Sequence, residues 1–331
     1  MAKAKSQPVR RTRTAHHTDT DRWSRVFIVG GVAAVIVLAI AIIAFGWYWT
    51  QVRPLSKTVL RVGKTEFSLG HLEGRMSLML QENSFFRQSE NYLRALPDVT
   101  LAQLEREAKL LEAAHQLNKI TVTDEELDKK VLELGGGGEN AVLAEELNRL
   151  VKESGLSKSQ YLQKVRAELL EEKVRTHFTS LAPKSESQVR ARWIVLDDEK
   201  RAEEALERLK GGEDFAAVAG EVSLETTTAQ QGGLVEWRPR GGTPAMPEAV
   251  EKFLFEDAKP GQRSDIISDV TGSYIVLLEN RDDNRELSEQ QKPQVVERQM
   301  NEWLEGLDKT LTIGRNLSEE DALHALEDVL S

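Results

Sequence analysis

From Val26 to Trp49 the chain runs VFIVGGVAAVIVLAIAIIAFGWYW without a charge, and about 20 apolar residues are enough for a helix to cross the core of a bilayer. The run therefore predicts one transmembrane helix. It is too long for the apolar core of a cleaved signal peptide, and it exits through Phe45-Gly46-Trp47-Tyr48-Trp49, too bulky for a small-x-small cleavage site. Beyond it the pattern breaks into short elements. Thr58 to Phe67 has β-rich residues around Val62-Gly63-Lys64 and predicts a small hairpin. Leu101 to Leu111 places apolar residues three and four apart, as one buried helix face requires. Thr123-Asp124-Glu125-Glu126 marks a helix start. Gly135 to Gly138 has too much backbone freedom to stay helical and predicts a break. Ser157 opens a further helix with the stripe Tyr161, Leu162, Val165, Leu169 and Val174, and Ala182-Pro183-Lys184-Ser185 marks a boundary.

After Val189 the period changes. Ala191 to Leu196 alternates as a strand; Ala202, Ala205, Leu206 and Leu209 give a helix closed by Gly211-Gly212; Phe215, Val218 and Ala219 give another. Gly232-Gly233 is a turn, and Ser273 to Leu278 a closing strand. Beyond Asp283 helical spacing returns with Val295, Val296, Met300, Trp303, Leu304 and Leu307, then Leu323 to Leu330. The expected fold class is α+β.

Charge gives the apolar run a direction. Lys3, Lys5, Arg10, Arg11, Arg13, Arg22 and Arg25 precede it against only Asp19 and Asp21, and basic flanks stay on the cytoplasmic side. The expectation is a single-pass cell-membrane protein with a cytoplasmic N-terminus and an extracytoplasmic C-terminal region. Trp23, Trp47, Tyr48 and Trp49 stand where an aromatic belt belongs. The net charge is −10, and the residues after Arg25 carry −15 of compensating charge, which argues against nucleic-acid binding. The glycine run lacks the Lys-Ser/Thr ending of a phosphate loop, and His115 and His177 have no second ligand at metal spacing. No cofactor and no metal are expected. The chain has no cysteine.

The order strand, helix, helix, Gly-Gly loop, helix, strand resembles the parvulin-type (PpiC-like) peptidyl-prolyl isomerase domain. The residues that carry the resemblance are Val189 to Leu196, Gly212-Glu213-Asp214-Phe215, Ser223, Gly232-Gly233, Trp237, Met246, Lys259-Pro260-Gly261 and Gly272 to Val276. The helical part before it, with Leu117 to Glu126, is similar to the SurA/PrsA chaperone region that accompanies such domains. The implied organisation is a basic tail (1–25), an anchor (26–49), a SurA/PrsA-like helical chaperone region (55–183), a parvulin-like domain with a small antiparallel sheet (187–284) and C-terminal helices (285–331), whose packing on the chaperone region is left open.

The family pattern has a histidine in the first strand and another in the last. Here Trp193 and Tyr274 stand in those places, and all six histidines lie outside the domain. The family's acidic position corresponds to Glu225. The resemblance thus implies Glu225, Tyr274 and Trp193 as catalytic candidates and Met246, Val250, Phe255 and Val235 as lining for a proline ring, with valine at 250 where phenylalanine is usual. Rotation about an X-Pro bond meets a barrier of about 18 to 20 kcal/mol set by amide resonance and needs no covalent step. A site that strips water from the carbonyl and favours the twisted amide lowers it. The function implied is a tethered foldase: a weak isomerase and chaperone for unfolded, proline-containing exported polypeptides. The alternatives are a holdase without turnover, motivated by the missing histidines, and a scaffold for a membrane complex.

Overall fold

The computed structural model describes residues 36–43, 45, 55–136 and 142–330, and the chain divides into Met1–Lys57 and Thr58–Ser331. The anchor expected at 26–49 lies largely outside the described residues; within it, 36–43 and 45 are helical with exposed side chains. Among the described residues no helix is long and apolar enough to cross a membrane.

The larger unit begins with the expected hairpin, β1 (Thr58–Val62) and β2 (Thr65–Ser68), turning at Gly63 with φ +58°. Ser68 then caps α1 (Leu69–Glu82), its hydroxyl accepting from the His71 amide. Four more helices follow: α2 (Glu90–Ala113), α3 (Asp124–Leu134), α4 (Leu143–Ser154) and α5 (Lys158–Leu181). The starts of α3 and α5 are reciprocal capping boxes, Thr123 with Glu126 and Ser157 with Gln160, each satisfying two amide groups that a helix start otherwise leaves unpaired. The glycine run begins at the end of α3; its residues 137 and 138 lie outside the described residues.

The second part is a four-stranded antiparallel sheet in the order β4-β3-β6-β5, made of β3 (Ser185–Leu196), β4 (Leu234–Pro239), β5 (Ile267–Asp269) and β6 (Gly272–Glu286). Between β3 and β4 run α6 (Glu199–Lys210), α7 (Phe215–Val222) and the single turn α8 (Thr226–Ala229); α9 (Glu248–Lys252) continues into a π-helical turn, Phe253–Asp257. Strands β3 and β6 each bury nearly every residue of their central part, one face against α6 and α7 and the other against α9. Sequence spacing missed β4 and β5, which are short or polar, and ended β6 too early: the strand runs to Glu286 because Ser185 at the start of β3 pairs with it.

The C-terminal region is not purely helical. After α10 (Lys292–Gly306) comes β7 (Ile313–Arg315), and then α11 (Glu319–Leu330). β7 pairs antiparallel with β1, Arg315 opposite Leu60 and Ile313 opposite Val62, giving a three-stranded sheet in the order β2-β1-β7. β1 thereby has both edges paired, and Val59, Leu60 and Val62 are fully buried. Ala325 and Leu326 of α11 join the core of β1, β2, α1 and α2, while Met300 and Leu304 of α10 join the core of α3, α4 and α5. Charge reinforces the closure. Glu105 of α2 accepts from Arg315 Nε and Nη2 at 2.6 and 2.7 Å and pairs with Lys109 at 3.0 Å. Arg106 bridges Glu171 of α5 to Glu297 and Asn301 of α10.

The β3–β6 sheet domain is therefore an insertion in a helical module made from both ends of the Thr58–Ser331 unit. Its entry and exit lie side by side: the Leu287 amide donates to the Lys184 carbonyl at 2.9 Å. Buried Gln188 donates to the carbonyls of Arg285 and Glu286 and accepts from Gln291. Replacing residues 185–286 with a short glycine-serine link should leave a helical module that melts cooperatively, followed by circular dichroism. A chain that loses its cooperative transition would contradict an independently closed module.

Candidate functional site

Trp193 lies on β3 and Tyr274 on β6, on the sheet face that packs against α9. Their ring centroids are 6.2 Å apart and tilted by 34°. With Val235 on β4 and Val250 on α9 they belong to one apolar cluster, and none of the four is more than 6% exposed. Met246 and Phe255 pack on the edge of that cluster and remain half-buried. Six of the seven expected site residues thus converge, and four of those six are core.

Glu225 is joined to this cluster by one hydroxyl. The Trp193 indole N–H donates to Thr228 Oγ1 at 2.8 Å, and the Thr228 hydroxyl donates in turn to the Glu225 carboxylate. Glu225 also accepts from the amides of Thr227 at 3.2 Å and Thr228 at 2.8 Å, so it is the N-cap of α8. Burial works to raise its pKa, but the hydrogen bonds from Thr228 and Thr227 prevail and hold it below the usual glutamate range. Glu225 is therefore an anionic acceptor at neutral pH and has no proton to give. A second relay runs on the other side: the Tyr274 phenol contacts Thr271 Oγ1 at 2.5 Å, and Thr271 donates to Asp269 at 2.6 Å. With Thr271 donating to Asp269, the phenol proton is directed to Thr271. Both polar groups that replace the family's imidazoles thus already have partners, and neither points at the other.

The loop that builds this arrangement tolerates no side chain. Gly233 has φ +75°, and a Cβ there would sit 2.4 Å from the Trp193 carbonyl oxygen; one on Gly232, at φ +66°, would sit 2.4 Å from Ala216 Cβ. The close approach lets the Trp193 amide donate to the Gly233 carbonyl at 2.9 Å and fixes the register of β4 on β3.

The exposed sides of Met246 and Phe255 face the seam with α10. Met246 lines a cavity of about 610 Å³ with Arg240, Gln294, Glu297 and Arg298. Phe255 lines another of about 330 Å³ with Glu186, Arg240 and Arg298. The Arg240 guanidinium stands 5.1 Å from the Phe255 ring centroid, a cation–π distance. Arg298 of α10 donates to Glu186 and, at 3.0 Å, to the Arg240 carbonyl. Sequence reasoning missed these arginines, because Arg298 belongs to a helix assigned to another region and nothing local marks it as facing Arg240.

A small antiparallel sheet whose first strand feeds two helices and a Gly-Gly turn before its partner defines a parvulin-type domain. Residues 196–280 match the PPIC-type PPIASE domain, and residues 22–175 match the SurA-like N-terminal domain. The chain thus carries a PpiC-type domain and a SurA-like N-terminal region. A chaperone SurA from Nitrosospira multiformis is 27% identical over 194 residues, 49% of this chain and 42% of that protein. Foldase protein PrsA 1 from Listeria innocua is 30% identical over 170 residues, 49% of this chain and 55% of that protein. A crystal structure of the peptidylprolyl isomerase PrsA from Bacillus anthracis covers 70% of this chain and 95% of that one at 17% identity, with a TM-score of 0.40. The chain spans about half the length of the curated relatives it matches.

Thr228→Val should break the link between Trp193 and Glu225 and leave a buried indole N–H without an acceptor. The expected cost is about 1 to 3 kcal/mol in denaturant unfolding, with a shift in tryptophan emission. Unchanged stability and emission would show that the relay holds nothing in place.

Proposed function

We propose that this chain is an extracytoplasmic, membrane-tethered foldase that binds unfolded polypeptide and acts as a weak peptidyl-prolyl isomerase. The observation that carries this reading is the insertion of a PpiC-type domain into a SurA-like module, with the half-buried Met246 and Phe255 at the seam between them. The tether is supported by the uncharged run 26–49, its basic flank and the exposed apolar side chains at 36–43. A catalyst of this kind needs no nucleotide, and tethering raises its effective concentration near chains emerging through the same membrane.

The isomerase step follows from environment alone. A proline ring held against Met246 and Phe255 leaves its preceding carbonyl in a seam lined by arginine, and donors aimed at the twisted amide stabilise the transition state selectively. Every tenfold of rate requires about 1.4 kcal/mol of such selectivity. Trp193 and Tyr274, sealed and already bonded, act as the rigid floor of this site. Their sealing also favours a second reading, a holdase that binds clients without turning over proline bonds.

Two assays on one preparation of the full chain separate these readings. The foldase reading expects faster cis/trans exchange in a proline peptide, at least twofold reduced by Met246→Ala, together with suppressed aggregation of a denatured client. Suppression without any acceleration supports the holdase and overturns catalysis. Absence of both effects overturns both readings.

A further inference from the structure

Helices α1 and α11, from opposite ends of the module, bring three metal-ligating side chains together far from the parvulin-type sheet in sequence. His324 and Asp328 are four residues apart on α11 and so leave it on one face. Glu73 of α1 meets them across the helix pair. One ligand atom from each lies within 4.8 Å of the other two, and His324 Nδ1 stands 3.2 Å from Asp328 Oδ2. Glu73 Oε1 is closed off from solvent and accepts no hydrogen bond. A buried acceptor without a donor is costly, and a cation answers that cost directly.

Geometry and donor type select the ion. Ligands about 2.0 to 2.2 Å from a tetrahedral zinc stand roughly 3.3 Å from one another. The His324–Asp328 separation already has that value, and turning the exposed His324 and Asp328 side chains closes the remaining distance to Glu73. One imidazole with two carboxylates suits zinc and its neighbours better than calcium or magnesium, which take oxygen ligands only. Three protein ligands leave one position for water.

We infer that Glu73, His324 and Asp328 form a binding site for a divalent transition metal of the zinc class, which cross-links α11 to α1. Bound there, the ion clamps α11 onto α1, the first helix of the module. Nothing in this depends on isomerase activity.

Zinc alone, titrated into the full chain by equilibrium dialysis, with thermal unfolding in parallel, tests the site. His16 and His17 near the N-terminus offer zinc another location, so variants decide. The expected result is a zinc-dependent rise in Tm and a site whose affinity drops at least tenfold in both His324→Ala and Glu73→Gln, with excess calcium failing to compete. His324 is exposed, so its replacement leaves the fold intact, checked by circular dichroism in the absence of zinc. No binding, or binding and a Tm rise of equal size in His324→Ala or Glu73→Gln, overturns the site; equal competition by calcium overturns the choice of ion.

Discussion

The central strand of the small sheet sets the terms for the rest of the molecule. β1 is apolar on the side facing α2, and a strand with an open edge offers unpaired amides and carbonyls to any other chain. β2 covers one edge by a local hairpin. The other is covered by three residues near the opposite end of the sequence, with the Gly63 amide donating to Thr312 at 3.0 Å and the Asn316 amide to Val59 at 2.8 Å. That pairing brings α10 and α11 back onto α1, α2 and α5. Arg315 then reaches Glu105, and Arg75 of α1 pairs with Glu107 of α2 at 2.5 Å in a region where both are almost fully buried. Such a buried pair contributes little net stability, but removing one partner strands the other's charge. It therefore fixes which helix faces meet.

Closing the module from both ends makes everything between Lys184 and Leu287 an insertion. The sheet domain is held at its neck by Gln188 and Gln291 and along its side by Arg298 and Arg240, so α10 serves two structures: its apolar face is core for the helical module, and its polar face lines the cavities of the seam. The half-exposed Met246 and Phe255 meet that seam, while Trp193 and Tyr274 lie beneath it in the core. An indole and a phenol in place of two imidazoles exchange groups that titrate near neutral pH for bulk, and each has a hydroxyl partner for its polar atom.

Much of this was legible in local pattern. The helix starts at Thr123 and Ser157, the hairpin at Gly63, the apolar Ala191 to Leu196 half of β3 and the Gly232-Gly233 turn each announce themselves within a few residues, because caps, turns and periods are short-range rules. The parvulin-type domain was legible for the same reason. β7 was not: Ile313-Gly314-Arg315 is too short to show a period, and it is a strand only because β1 needs a partner. Thr228 was missed because its role is defined by an indole thirty-five positions earlier in the chain, and Arg298 because helix spacing shows which face is apolar without naming what the polar face meets. The resemblance makes Glu225 the family's acidic position and a catalytic candidate; the structure gives it a definite job as the cap of α8 and the end of the Trp193 relay.

The closure of the module by both ends is the claim on which the insertion, the seam and the α1–α11 contact all rest. Native-state hydrogen exchange on the full chain reads it directly. The amides of Gly63 and Asn316, which bond across β1 and β7, should exchange with the same opening free energy as core amides of α1 and α2, because all belong to one cooperative unit. Exchange of residues 313–330 at a much lower opening free energy, while α1 and α2 stay protected, would contradict it.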